Sequence, residues 1–128
     1  MTGSTRNITL AAAALGFTGV ALGAFGAHAL KPSLEAHGSV ETWKTAVLYH
    51  LMHAVALLAL AGWRDAHAGA SGRVAALWVA GVIFFSGSLY WLALGGPKLL
   101  GPVTPLGGTA FLAGWALLAF QAWKRPVA

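Results

Sequence analysis

The chain has 128 residues, a mass of 13.1 kDa and a mean hydropathy of +0.72, with 58% hydrophobic and only 9% charged residues. A soluble domain carries about 25% charged residues, so eight Lys/Arg and three Asp/Glu cannot clothe a water-facing surface. That argues against a soluble enzyme, a disordered chain and a nucleic-acid binder. The net charge of +5 rests on few groups and reads as membrane topology. The absence of cysteine rules out disulfides and zinc–thiolate chemistry.

Four stretches are long and apolar enough to cross a bilayer, which takes about 20 residues at 1.5 Å each. The first runs from Ile8 to Leu30 and holds no titratable group except His28. Arg6, this run and Ala27-His28-Ala29 imitate a secretory signal with a small-x-small cleavage site. The run is 23 residues, longer than the usual hydrophobic region of about 7–15, so it is expected to stay as a span. Pro32 suits the first turn of a short amphipathic helix, Pro32 to His37, which Gly38 breaks. Ser39 is placed to cap the next helix, with Glu41 in its first turn. Span two is expected over about Thr45 to Trp63, followed by a polar turn from Arg64 and Asp65 to Arg73. Span three runs from Val74 to about Gly95, where Gly95-Gly96-Pro97 stops it. Thr104 and Pro105 read as the N-cap and first residue of span four, which runs to Trp123. Trp43, Trp63, Trp91 and Trp123 lie near span ends, as an interfacial belt would. The predicted fold is all-α: one four-span membrane domain over residues 1–128, a four-helix transmembrane bundle.

Charge asymmetry orients it. The side holding both termini carries Arg6, Arg64, Arg73, Lys124 and Arg125, five bases against Asp65. The other carries Lys31, Lys44 and Lys98, three bases against Glu35 and Glu41. The positive-inside rule puts both termini in the cytoplasm.

Small residues mark packing faces. Gly16, Gly19, Gly23 and Gly26 share one face of span one, and Gly19 to Gly23 is a GxxxG step. Gly81 and Ser88 in span three, and Gly107, Ala110 and Gly114 in span four, likewise keep to one face each. These serve either packing within the bundle or a homo-oligomer seam.

The histidines are the chemistry on offer. His28 ends span one, and Tyr49, His50 and His53 lie in the first half of span two, near the outer leaflet in this topology. Tyr49 and His53 are about 40° apart on the helical wheel. His50 and His53 could face one ion, and His28 would complete a three-histidine site for a metal or a haem iron. Against this, His28 lies roughly opposite the glycine face, and no acid inside a span orients a ligand histidine. Ser86 and Tyr90, in Phe85-Ser86-Gly87-Ser88-Leu89-Tyr90, form an i, i+4 pair inside span three. Paired carboxylates, a nucleophile elbow and a phosphate loop are all missing, so no catalytic residue and no cofactor are expected.

Four ordered motifs carry a resemblance across essentially the whole chain. They are Gly23-Ala24-Phe25-Gly26-Ala27-His28-Ala29-Leu30, the run from Thr45 to Ala54, the run from Phe85 to Tyr90, and Val103-Thr104-Pro105-Leu106-Gly107-Gly108 with the run from Phe111 to Leu117. The chain resembles the bacterial YgdD/YwdK-type proteins, domain of unknown function 423, which have a mitochondrial transmembrane relative. The resemblance implies a four-span inner-membrane protein and no established activity. It also implies that Tyr49 and His53 match the family pattern, whereas His50 stands where that pattern usually has glutamine. A hydrogen-bonded network of His28, Tyr49, His53, Ser86, Ser88 and Tyr90, closed by Thr104, is the better common denominator.

The leading expectation is therefore a non-enzymatic membrane protein that binds a lipid, a quinone-like molecule or a protein partner through that polar outer-leaflet network. The alternatives are a metal or haem redox protein built on His28, His50 and His53, and an oligomeric transporter or channel.

Overall fold

The computed structural model describes residues 2–66 and 71–126. Helix α1 (Gly3–Ala27) opens with Thr2 Oγ1 accepting the Thr5 N–H at 3.1 Å. The short α2 (Lys31–Ala36) carries Pro32 in its first turn, and Gly38, at φ +62°, swings the chain into α3 (Val40–Ala66). A second rod runs from α4 (Ser71–Gly81) through a π turn (Val82–Ser86) into α5 (Gly87–Ala93). Gly95, at φ +89°, ends it, and a 3₁₀ turn (Lys98–Leu100) leads to α6 (Val103–Trp123). Among the described residues, four helical stretches, Gly3–Ala27, Val40–Trp63, Ser71–Ala93 and Lys98–Trp123, are long and apolar enough to span a bilayer. The fold is all-α, and the expected order of short helix and spans is the observed one.

Several boundaries move. Helix α3 begins at Val40, directly after Ser39 as expected, but its bilayer-length stretch also starts there, five residues before the expected Thr45, with Glu41 and Lys44 on the exposed side and Trp43 and Ala46 buried. Ser39 does not spend its hydroxyl on a cap; Oγ donates to the Ala93 carbonyl at 2.5 Å and ties α3 to the end of α5. Thr104 is not the N-cap of α6 either, since Pro102 holds that place and Thr104 lies in the first turn. Trp43 is 3% exposed rather than interfacial, and its indole N–H donates to the Leu22 carbonyl at 2.9 Å. Of the expected polar turn, Ser71, Gly72 and Arg73 already belong to α4, and residues 67–70 lie outside the described residues.

The helices pack as two pairs. α1 lies along α3, α6 lies along the α4–α5 rod, and α3 joins the pairs. The main core draws Ile8 and Ala12 from α1, Leu57 and Leu60 from α3, Trp78 and Val82 from the rod, and Phe111 from α6. A smaller core of Leu34, Trp43 and Ala93 closes the end that carries α2. Phe17, Val55 and Leu112 stand outward, 78%, 68% and 72% exposed, as side chains facing acyl chains do. The glycines set the approach distances. A Cβ on Gly19 would come within 2.6 Å of Leu51, and one on Gly26 would overlap the Trp43 indole. One on Gly81 would strike Phe111, one on Gly114 would strike Trp78, and one on Gly107 would strike the backbone at Phe84 and Phe85. Gly23 meets Val47 at 3.3 Å, while Gly16 meets nothing within 4 Å.

Candidate functional site

The buried polar side chains form separate ties between helices. The first joins three of them. Thr18 Oγ1 on α1 donates to the Ala14 carbonyl at 2.9 Å, so toward His50 Nε2, at 3.1 Å, it must accept. His50 then carries its proton on Nε2, and its bare Nδ1 accepts the Tyr90 hydroxyl at 2.8 Å. A donor chain thus runs from α5 through α3 to α1 and ends on a helix carbonyl.

The second tie uses the opposite tautomer one turn away. The Trp115 indole N–H donates to His53 Nε2 at 3.1 Å, so His53 carries its proton on Nδ1 and gives it to the Tyr49 carbonyl at 2.9 Å. The imidazole lies flat on Phe111, with centroids 3.8 Å apart and planes 13° apart. Tyr49 enters through its ring, packed on Phe85 at 4.7 Å. His53 is 2% exposed, and both ring nitrogens are spent on bonds that require the neutral imidazole.

The serines complete the set. Ser86 Oγ donates to the Ala46 carbonyl at 2.8 Å, across from the π turn to α3. Ser88 Oγ donates to the Phe85 carbonyl at 3.0 Å and accepts the Thr104 hydroxyl at 2.6 Å, which fixes α5 to α6.

The structure therefore brings His50 to Tyr90 and Ser88 to Thr104, and sets Tyr49 beside His53. It leaves His28 apart, exposed at the end of α1. The three-histidine cluster of His28, His50 and His53 is not formed, and among the described residues no group of three His, Asp or Glu could hold a metal ion. The reason is rotational: His50 turns to α1 and α5, His53 turns to α6, and His28 lies beyond its helix. Along α3 (Val40–Ala66), His53 stands at the midpoint and His50 one turn before it.

Thr18 and Trp115 are partners that reading the sequence missed. Trp115 did carry a signal, because an indole N–H at mid-span needs a protein acceptor.

The larger open feature lies elsewhere. A groove of about 580 Å³ runs between α1 and α3 under α2, and its walls include Gly23, Ala27, Leu34, Val47 and Met52. Among the described residues, Lys44 is the one charged group that lines it. A second cavity of about 380 Å³ lies nearer the termini, along Gly16, Ala13 and Thr9. Leu51 and Val55 line both, and Leu51 packs on Gly19 between them. None of His28, Tyr49, His53, Ser86, Ser88, Tyr90 and Thr104 lines either.

Comparison with known proteins gives the lineage. The family model "Protein of unknown function (DUF423)" matches residues 22–108. The chain is 40% identical over 107 residues to the UPF0382 membrane protein YwdK of Bacillus subtilis (strain 168), covering 82% of this chain and 86% of that one. It is 42% identical over 118 residues to the UPF0382 inner membrane protein YgdD of Escherichia coli (strain K12), covering 90% and 88%. No solved structure matches. With four bilayer-length helices and this similarity along most of its length, the chain belongs to the DUF423 family of membrane proteins.

Proposed function

We propose that this protein is a non-enzymatic inner-membrane protein that holds one lipid-like amphiphile in the α1–α3 groove, with both termini in the cytoplasm. The observation that carries the reading is the groove itself: apolar walls along two helices and a single cation, Lys44, at the end under α2. Its volume falls in the range of about 300–1,000 Å³ found for small-molecule sites. The polar network serves the reading indirectly. Its ties hold α3 against α1, α5 and α6, and so hold the groove walls at fixed spacing. The histidines are committed to those ties, which supports a binding role over acid–base chemistry. The orientation rests on the five bases against three on the two sides of the chain.

The test is native mass spectrometry of protein released from mild detergent, with an absorption spectrum. A colourless protein carrying one bound small molecule is expected, with less of it in Ala27→Phe, which narrows the groove beside α2. Protein that emerges bare from a lipid-rich extract, or equal retention by a folded Ala27→Phe, would refute the reading.

A further inference from the structure

The tie from Tyr90 through His50 to Thr18 does more than hold helices; it decides where the Tyr90 hydroxyl sends its hydrogen. We infer that Tyr90 is the hydrogen-bond acceptor of a second ligand site, a cleft between α1 and α5, which takes a neutral amphiphile through a ring hydroxyl and so tells a hydroquinone from the matching quinone.

The cleft has a volume of about 390 Å³, and its walls include Leu22 on α1, Trp43 on α3, and Gly87, Tyr90, Trp91 and Leu94 at the end of the α4–α5 rod. Trp43 is the one residue it shares with the α1–α3 groove. From Leu94 to Gly87 it follows the rod for seven residue steps. That is about 10 Å, within one leaflet of roughly 15 Å. Among the described residues, no charged side chain lines it.

The donors and acceptors in the lining select the ligand. Trp43 has spent its indole N–H on the Leu22 carbonyl at 2.9 Å. Trp91 stands at the edge, 63% exposed, and its N–H serves a carbonyl or a hydroxyl equally. Discrimination therefore falls to Tyr90. Thr18 gives its hydrogen to the Ala14 carbonyl, which puts the His50 proton on Nε2; His50 Nδ1 must then accept, and Tyr90 Oη gives it its single hydrogen at 2.8 Å. What Oη keeps is lone-pair capacity. Tyr90 is half-buried, while His50 behind it is 4% exposed, so a ligand in the cleft meets the tyrosine and has to bring the hydrogen itself.

Depth and shape narrow the head further. The Tyr90 side chain leans toward the start of α5, which carries its oxygen inward from the membrane surface to His50. A charged head is costly there, and a neutral hydroxyl is not. The Tyr90 and Trp43 rings, with centroids 4.7 Å apart, offer aromatic surface to a flat head. A hydroquinone combines that shape with a hydroxyl donor. The quinone of the same skeleton carries only acceptors and would set its oxygen against that of Tyr90.

The experiment uses the full chain in lipid nanodiscs under argon with four decyl-chained probes: a benzohydroquinone, the matching benzoquinone, the hydroquinone dimethyl ether and decylammonium. Retention of each probe at equilibrium is quantified by mass spectrometry. The hydroquinone is expected to bind about tenfold more tightly than the quinone or the ether. Tyr90→Phe should erase that difference. His50→Gln keeps an acceptor for Tyr90 and should keep the preference, whereas His50→Leu returns the hydrogen to Tyr90 and should raise quinone binding about tenfold, to parity. Gly87→Leu, where a Cβ meets only the Val82 carbonyl at 4.0 Å, fills the cleft and should abolish binding of both. Helical circular dichroism and elution volume establish that each variant is folded. Equal binding of hydroquinone and ether, a preference that survives Tyr90→Phe, or unchanged quinone binding in folded His50→Leu overturns the inference. Tighter binding of decylammonium assigns the cleft to a cation and overturns it, as does failure of every probe. None of these variants lines the α1–α3 groove, whose own test is Ala27→Phe, so the two sites fail separately.

Discussion

Replacing His53 with alanine tests whether the mid-span imidazole is a structural tie. The substitution removes the acceptor for Trp115 Nε1–H and the ring stacked at 3.8 Å on Phe111. An interhelical hydrogen bond in lipid is worth about 0.6 kcal/mol on average and at most about 1.7. A stacked aromatic pair adds about 0.5–1.5 kcal/mol. The sum is roughly 1–3 kcal/mol, before the cost of the void left at a 2%-exposed site. His53→Phe keeps a ring on Phe111 and forfeits only the bond, so it should cost less than His53→Ala. Pairing it with Trp115→Phe in a double-mutant cycle isolates the bond, with a coupling near 0.6 kcal/mol expected. The assay is unfolding by a denaturing detergent in mixed micelles, followed by tryptophan fluorescence and helicity. A His53→Ala protein within about 0.3 kcal/mol of the parent, the scatter of additive changes, would refute the assignment of His53 to packing. The ring would then be free to serve a ligand.

Three further outcomes follow from the same contacts. His50→Gln should stay within about 0.6 kcal/mol of the parent in that assay, since the carboxamide offers one acceptor for Tyr90 and one donor for Thr18, whereas His50→Leu should lose both bonds and be measurably weaker. Gly107→Ala should lower stability by about 1–3 kcal/mol, because its Cβ meets backbone at the π turn, which cannot swing aside; Gly16→Ala, with open space, should be neutral. Because the chain has no cysteine, single cysteines report topology cleanly: Leu99→Cys should react with an impermeant maleimide added outside intact cells, and Trp123→Cys only after lysis.

The spans were legible because four runs of apolar residues are separated by Pro, Gly and charge, and nothing but a helix satisfies the backbone across that distance in lipid. Ser39 and Glu41 marked the start of α3 as well, but not how far its bilayer-length stretch reaches back. Glu41 and Lys44 keep residues 40–44 out of the apolar run, yet they occupy one side of a helix whose other side buries Trp43 and Ala46 in the bundle. The π turn had no signal either. Its wider turn brings Ser86 onto the Ala46 carbonyl and lets α6 lie on bare backbone at Gly107, an effect of helix rotation that no spacing rule encodes.

Partner choice was the least legible of all, and the two histidines show why. They stand three residues apart on one helix, a spacing that suits a shared ion as well as it suits two unrelated bonds. What separates them is the neighbour each meets. Thr18 has already given its hydrogen to Ala14, so it forces a proton onto His50 Nε2; Trp115 can only donate, so it forces the proton of His53 onto Nδ1. A metal bridging both rings takes one nitrogen from each, so it would have to break one tie of His50, to α1 or α5, and one bond of His53, to Trp115 on α6 or to the Tyr49 carbonyl. In a bilayer, where no water replaces a lost partner, that cost argues for the histidines as fasteners and moves the search for a ligand to the groove they do not touch.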